Sequence, residues 1–379
     1  MKILHISKFY PPEPGGIESF VCDLAEAQVR QGHEVYVLAH QSEFNKPICR
    51  EQINGVKLRR IRTFGQAAYA PLTPEFPLHL LSSIRTFRPD VIHAHLPNVS
   101  AFWLLFFRKS CPLLLHWHAD VVSSTIDRKM AVLYNLYKPW ELLLLKKADR
   151  VIATSNAYLN SSQPLKSFKP KTRVIPLGIN PNRLIHTRPA KESAASNTGF
   201  KVLTVGRFAY YKGFEYLVQA AEKVPDARFI IVGDGPRYPQ IKQMVTQKDL
   251  EGRIQLPGRV PADRLRELFL DCDLFCLPSV ERTEAFGMVL LEAMGLGKPL
   301  LTTQIAGSGI NEVNIDGVTG VQVPPADAAA LVDAIFMLAQ NPDIRLQMGA
   351  LAQKIFDERF HIYSVAEQIA ELYKEMLKK

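Results

Sequence analysis

Glu284 and Glu292 stand eight positions apart in ERTEAFGMVLLEAMGLGKP, with Phe286 and Gly287 between them. Read as a loop turning into a helix, the segment spreads its carboxylates roughly 12 Å along the axis, at about 1.5 Å per residue. The N–H groups of the helix start lack intrahelical partners and favour an anion lying between the two acids. A ligand with hydroxyls at both ends and a diphosphate between them fits that layout, and a nucleotide sugar is such a ligand. Singly, each glutamate is explained as well by a capping or surface role. The combined spacing with Phe286, Gly287 and Pro299 is what makes the pattern specific.

A second group carries positive charge. Gly206-Arg207 ends the apolar run KVLTVGR, and Lys212-Gly213 follows in RFAYYKGFEYL. Arg grips phosphate through two parallel hydrogen bonds, and Lys acts as a point charge. Gly15-Gly16 lies between a strand-like run and a helical one, where glycine permits close approach of an anion to the helix start. Alone, that pair reads as a plain tight turn. His118 ends PLLLHWHAD, with His116 on the same strand face. The polar Ala119-Asp120 that follows predicts exposure of His118 to a cleft, against the bland reading of a buried, satisfied imidazole. His93 and His95 in DVIHAHLP have weaker claims. Each histidine pair is spaced two apart on a strand, with no acid or cysteine to complete a ligand set, so no zinc site is expected. Asp271-Cys272-Asp273 has an acid-x-acid form but falls where a helix enters a buried strand, and it is read as structural.

Alternating strands and helices must position these groups. KILHISKF, EVYVLAH, DVIHAH, PLLLHWH and RVIAT read as strands of a doubly wound parallel sheet, with a helix over 17–30 ended by Gly32. RVIPLGIN leads into RPAKESAASNTG (188–199), read as an interdomain linker. A second series follows through KVLTVGR, RFIIVGDG, RIQLPG, DLFCLPS and PLLTT. Two α/β sheets facing a cleft are expected, with ligands at the carboxyl ends of their strands. SVAEQIAELYKEML (364–377) reads as an ordinary surface helix that packs back onto the first domain.

The 379 residues suffice for two domains, and 47% hydrophobic content supports full cores. The net charge of +9 is uneven: residues 1–185 carry 24 Lys and Arg against 13 Asp and Glu, the remainder 22 against 24. A basic first half points to a phosphorylated or membrane-surface partner. Nucleic acid is not expected, since no basic-aromatic motif appears. Five cysteines without framework spacing read as free thiols in a reducing cytosol. MKILHISKF lacks the features of a signal peptide. The apolar runs VSAFWLLFF and LLLL fall short of the roughly 20 residues of a membrane span. A cytoplasmic protein, touching the inner face of the plasma membrane only at its surface, is expected.

These segments resemble the retaining glycosyltransferases of family 4, which have the GT-B fold. The likeness covers nearly the whole chain: the Gly-Gly-x-Glu loop (Gly15, Gly16, Glu18), HWHAD, VIATS, VIPLGI, VGR…KG, VGDGP and the E-x7-E motif. Within the family, KFYPPEPGGIE, HWHADVV and VNIDGVTGVQVPP resemble bacterial O-antigen and exopolysaccharide α-mannosyltransferases. Two departures stand out: Ala119 in place of an expected Ser, and AGSGI (306–310) near an expected Gly-Thr-Gly.

The resemblance implies an α/β architecture of two Rossmann-like domains. Residues 1–185 form an acceptor-side domain, 186–360 a nucleotide-sugar-binding domain, and 361–379 a helix returning to the first. It implies that Arg207 and Lys212 hold the donor diphosphate beside Gly206, with amides of Gly15, Gly16, Phe286 and Gly287 and the flanking Ala285 and Met288 contributing. Glu292 would bind ribose, Glu284 the donor sugar, and His118 the sugar near its anomeric centre. Gly233, Arg259 and Val260 would line the base, and His95 and Asp120 are acceptor-side candidates. The implied reaction moves a hexose, foremost mannose from GDP-mannose, to a polyprenyl-diphosphate-linked saccharide, with no metal or cofactor. A UDP-sugar donor (glucosyl or N-acetylhexosaminyl) is the alternative. A GT-B nucleotide-sugar 2-epimerase and a non-catalytic nucleotide-sugar-binding subunit are remoter ones. Arg59, Arg60, Arg62, Arg85, Arg88, Arg108 and Lys109 are the expected membrane contacts. The sequence leaves the oligomeric state open.

Overall fold

The structure is a computed structural model that describes residues 1–67, 70–108, 110–121, 128–181 and 199–378. The chain forms two compact units, Met1–Ile179 with Ile362–Lys379, and Asn180–His361. Most of the expected linker, 188–198, and Lys109 lie outside the described residues.

The strands of the first unit are β1 (Lys2–Ile6), β2 (Glu34–Phe44), β3 (Cys49–Ile53), β4 (Val56–Thr63), β5 (Gly65–Ala67), β6 (Ala70–Leu72), β7 (Val91–Leu96), β8 (Leu113–Trp117), β9 (Arg150–Ala153) and β10 (Thr172–Val174). Its first helices are α1 (Gly16–Arg30), α2 (Phe76–Phe87), α3 (Arg128–Lys147) and α4 (Asn156–Ser161). Eight strands form one sheet in the order β10-β9-β8-β7-β1-β2-β4-β3, and β5 pairs with β6. β7 and β8 are buried throughout and read as continuous apolar runs broken only by histidines. The order reverses between β1 and β7, the kind of switch point where ligands bind. In register, His5 lies opposite His93, and His95 opposite His116.

The antiparallel β3–β4 hairpin went unread in the sequence, although Asn54-Gly55 supplies its turn with φ of 49° and 85°. It corrects two of the expected membrane contacts. Arg59 and Arg60 lie on β4 and are buried, each 7% exposed. Arg60 pairs with Glu51 and donates to the Tyr10 carbonyl at 2.8 Å, which makes it a structural cation. Arg85, Arg88 and Arg108 are exposed. RVIPLGIN supplies the edge strand β10.

The second unit contains β11 (Phe200–Val205), α5 (Phe214–Lys223), β12 (Ala227–Val232), α6 (Tyr238–Gln247), β13 (Ile254–Gly258), α7 (Ala262–Asp271), β14 (Leu274–Leu277), α8 (Met288–Gly295), β15 (Leu300–Thr303), α9 (Ile310–Val313), β16 (Gly320–Val323), α10 (Ala328–Gln340) and α11 (Pro342–Ile355). Its parallel sheet runs β13-β12-β11-β14-β15-β16. The order reverses between β11 and β14. α5 buries Phe214, Leu217, Val218, Ala220 and Ala221, a helical stripe that seats on a core of Phe208, Phe229, Ile231 and Leu274. Asp271 ends α7 beside Lys201, and Asp273 accepts from the Lys201 N–H at 2.8 Å, so the acid-x-acid motif fastens the sheet.

The last helix, α12 (Ile362–Leu377), belongs to the first unit. It is more than a surface helix. Val365, Ile369, Leu372 and Tyr373 are buried, and the Tyr373 hydroxyl reaches Gln28 on α1 and His93 on β7.

Candidate active site

In the second unit, the predicted cations and acids gather at the β11/β14 switch point. β11 ends at Val205, and the chain continues through Gly206 to an exposed Arg207. Gly233, just past β12, has φ of 137°, and a Cβ there would overlap the Gly206 carbonyl oxygen. Glycine is therefore required where the two strand ends converge. Lys212 closes a 3-10 turn, Tyr210–Lys212. Its stem runs over Gly206, where an added Cβ would meet Lys212 Cε and Nζ at 3.1 Å.

Lys212 is 7% exposed, and its ammonium pairs with the carboxylate of Glu284. Glu284 also accepts from Ser279 Oγ at 3.1 Å, directly after β14. The sequence assigned these two charges to different parts of a ligand; the structure joins them across the switch point. Tyr211 lies beside the pair, with Lys212 Nζ 5.7 Å from its ring centre, and burial together with the Glu284 charge pushes its phenol pKa up.

The Glu284 loop is held from the opposite side by the AGSGI segment. Ser308 Oγ donates to the Glu284 carbonyl at 2.5 Å, and Gly309 N–H to the Ala285 carbonyl at 2.8 Å. Ser279, Ser308 and Tyr211 were missed from sequence because single hydroxyls carry no spacing signal. Phe286 is buried, and Gly287, with φ of 79°, precedes α8 and gives it no side-chain cap. The N–H groups at Met288 thus open α8 as the sequence predicts. Helical rise applies only from Met288 onward, so the span between Glu284 and Glu292 is set by the loop as well as the helix. Glu292 is half-buried on α8, while Arg259 and Val260 follow β13, Arg259 exposed.

In the first unit, Gly15 precedes α1, which starts at Gly16. The φ of 170° at Gly15 is ordinary extended backbone, but a Cβ there would overlap the Glu18 carboxylate. Burial pushes the Glu18 carboxyl pKa up.

His118 departs from expectation. It follows β8, and its N–H donates to the Leu96 carbonyl at 3.0 Å, yet the residue is only 3% exposed. The parallel register of β1, β7 and β8 places His5, His93, His95, His116 and His118 on one sheet face beneath Phe20 of α1. Burial holds His5 near pKa 4 and His118 near 3, and pushes the other three well down, so all five are neutral at pH 7. The sets His5/His93/His95 and His95/His116/His118 each hold ring nitrogens within 4.8 Å of one another. Neither set follows from spacing along one strand, because each combines histidines of two neighbouring strands, β1 with β7 and β7 with β8.

Asp120 is fastened rather than open. Its Oδ1 accepts from Trp117 Nε1 at 2.8 Å and from Ser162 Oγ at 2.6 Å. Burial, and then the Asp120 charge, push the Glu141 carboxyl on α3 up to about 8.

Comparison with known proteins gives the family. Family models match nearly the whole chain: glycosyl transferases group 1 over residues 187–355, and glycosyltransferase family 4 over residues 14–183. The chain is 29% identical to the O-antigen chain mannosyltransferase C of Escherichia coli over 384 positions, covering 100% of this chain and 99% of that protein. It is 30% identical to the D-rhamnosyltransferase WbpZ of Pseudomonas aeruginosa over 368 positions, covering 95% and 92%. Among solved structures, a sucrose-phosphate synthase from Thermosynechococcus elongatus matches with TM-score 0.81 at 24% identity, over 100% and 99% of the two chains. Anabaena HepE in complex with UDP and glucose matches with TM-score 0.77 at 22% identity, over 99% and 100%. Those two likenesses bear on the fold, the paired Rossmann-like α/β domains of the GT-B class. With both halves matched and a full-length kinship to bacterial O-antigen sugar transferases, the chain belongs to the family 4 glycosyltransferases.

Proposed function

We propose that this glycosyltransferase moves mannose from GDP-mannose to a saccharide carried on a polyprenyl diphosphate, with retention of the α configuration, at the inner face of the plasma membrane. The observation that carries the reading is the Lys212–Glu284 pair at the β11/β14 switch point, with Arg207 on one side and the uncapped start of α8 on the other. In the reaction the bond between the sugar C1 and the diphosphate oxygen breaks. An acceptor hydroxyl bonds to C1 and passes its proton to the departing diphosphate. Negative charge grows on the departing diphosphate, and preorganised donors act on charge that develops.

Arg207 and Lys212 supply that stabilisation in this reading, without a metal. Lys212 has three N–H donors, so it can keep Glu284 and still reach a phosphate oxygen. Glu284 takes sugar hydroxyls, Glu292 the ribose, and His118 the sugar near C1. The base lies by Gly233 and the Pro257–Val260 loop. Mannose is favoured by full-length similarity to a mannosyltransferase. The rhamnosyltransferase kinship at 30% identity keeps other hexose donors as the second reading.

The lipid-linked acceptor draws support from an exposed apolar stripe on α3. Val132, Leu136, Trp140 and Leu143 recur at helical spacing, between 43% and 67% exposed. Trp140 meets Phe106, which meets Trp103, beside a groove of about 480 Å³. A patch of this kind marks a membrane or ligand surface. Among the described residues no helix is long and apolar enough to cross a membrane.

Titration calorimetry with GDP and UDP, followed by a donor screen that reads nucleoside diphosphate release, tests the donor. Tighter GDP binding and turnover of GDP-mannose are expected. Tighter UDP binding overturns the choice of mannose.

A further inference from the structure

The buried histidines of the first unit form an ordered chain. His5 Nε2 meets Gln28 Oε1 at 2.7 Å, His5 Nδ1 meets His95 Nε2 at 3.0 Å, and His95 Nδ1 meets His118 Nε2 at 3.0 Å. The His5 and His95 ring planes differ by 18°, those of His95 and His118 by 25°, and each pair has centroids 5.3 Å apart. Such rings meet edge to edge, with a nitrogen lone pair aimed along a neighbour's N–H. His116 differs: it lies face to face with His118 at 4.3 Å, and neither of its ring nitrogens has a hydrogen-bond partner among the described residues. At its far end the chain is anchored by Gln28, whose Nε2 donates to the Tyr373 hydroxyl at 3.2 Å. That hydroxyl lies 2.7 Å from His93 Nδ1.

A neutral imidazole has one donor and one acceptor nitrogen, and the bond made by one fixes the other. Gln28 Oε1 can only accept, so His5 carries its proton on Nε2 and offers a lone pair at Nδ1. His95 must then donate from Nε2 and accept at Nδ1. His118 must donate from Nε2, leaving its Nδ1, which has no partner among the described residues, with a lone pair. Turning the Gln28 amide over would reverse every proton in the row together.

We propose that Gln28, acting through His5 and His95, fixes which ring nitrogen of His118 carries the proton, so that these three are positioning residues for the sugar-side imidazole. The inference rests on the reading of His118 as a sugar contact. The ring arrangement favours hydrogen bonds over metal ligation, because nitrogens facing each other in line along a shared N–H do not converge on a common ion.

The test is long-range proton–nitrogen NMR of the full-length protein labelled at histidine nitrogens, with resonances assigned through single His→Phe variants. The expected result is that His5, His95 and His118 are neutral and carry their protons on one and the same ring nitrogen. Gln28→Leu, with folding checked by thermal melting, should turn the His118 signal into a tautomer mixture. Gln28→Glu keeps an acceptor beside His5 and should preserve the native pattern. kcat should fall about tenfold in Gln28→Leu, the scale of one lost hydrogen bond, with donor KM unchanged, and recover in Gln28→Glu. Mixed tautomers in the native protein, an unmoved His118 signal in Gln28→Leu, or stoichiometric Zn²⁺ uptake by the native protein would each overturn the relay. If the tautomer moves and kcat does not, the relay stands and the placement of His118 beside the sugar fails. The native spectrum needs no substitution, so a poorly folding variant leaves the first arm decisive.

Discussion

Lys212 and Glu284 show how one pair serves stability and chemistry at once. The Lys212 and Glu284 side chains are 8% and 12% exposed. Removing one partner leaves the other's charge buried, which costs about 3 kcal/mol or more. Lys212→Ala and Glu284→Ala should each lower the unfolding free energy. Lys212→Ala should also lower kcat/KM by roughly a hundred- to a thousandfold, the worth of one strong donor to a developing anion. The double variant Lys212→Met/Glu284→Gln, which buries no charge, should regain stability without regaining turnover. Urea unfolding and steady-state kinetics on the four proteins check this. Wild-type turnover by both single variants would show the site to be misassigned.

At the scale of elements, the second unit depends on strand ends that touch. Gly233→Ala places a Cβ on the Gly206 carbonyl oxygen at a backbone φ of 137°. It should cost at least about 2 kcal/mol, as strained backbone and overlap add. Gly317→Ala sits at a φ of 70°, in the milder left-handed region, with no atom within 4 Å, so it should cost only about 1 kcal/mol. Denaturant midpoints of the two variants check that order. The stripe on α3 makes a second prediction. Leu136→Glu combined with Phe106→Glu should abolish the salt-resistant part of pelleting with anionic vesicles. Salt screens charge over about 10 Å at 0.1 M but leaves apolar burial intact. Native protein that never pellets with lipid would remove the membrane part of the proposal.

For the molecule as a whole, buried histidines contribute to acid sensitivity, the five of the ladder together with His40, which burial holds near 3. Five imidazoles have folded pKa values below the ordinary 6.5, His5 at about 4 and His118 at about 3. Between those values and 6.5 the unfolded chain binds protons that the folded chain does not. Stability from this source is therefore complete above pH 6.5 and is lost as pH falls through about 4 toward about 3. Each such proton steepens the loss by roughly 1.4 kcal/mol per pH unit. Urea midpoints at pH 7.5 and 5.0 should drop sharply, and His116→Leu, which gives up no hydrogen bond, should flatten the drop by about one proton. An unchanged slope in that variant would mean that His116 is already protonated or accessible in the native state.

Local pattern settled much of this protein. Apolar runs bounded by Gly and Pro marked the strands of both sheets, because a buried parallel strand must be apolar on both faces. The strand-end glycines, the cations after β11 and the Glu284–Glu292 segment were legible for the same reason: each depends on neighbours within a few residues. Pairing across the sheets was not legible. Lys212 meets Glu284 over 72 positions, Arg60 folds inward against Tyr10, and α12 delivers Tyr373 to Gln28 over 345. His118 looked exposed beside a polar tail, yet β1, β7 and α1 bury it in a row of imidazoles. Sequence spacing determines which face a side chain takes on its own strand. Only the register between strands, fixed by sheet hydrogen bonds and helix packing, decides which faces meet.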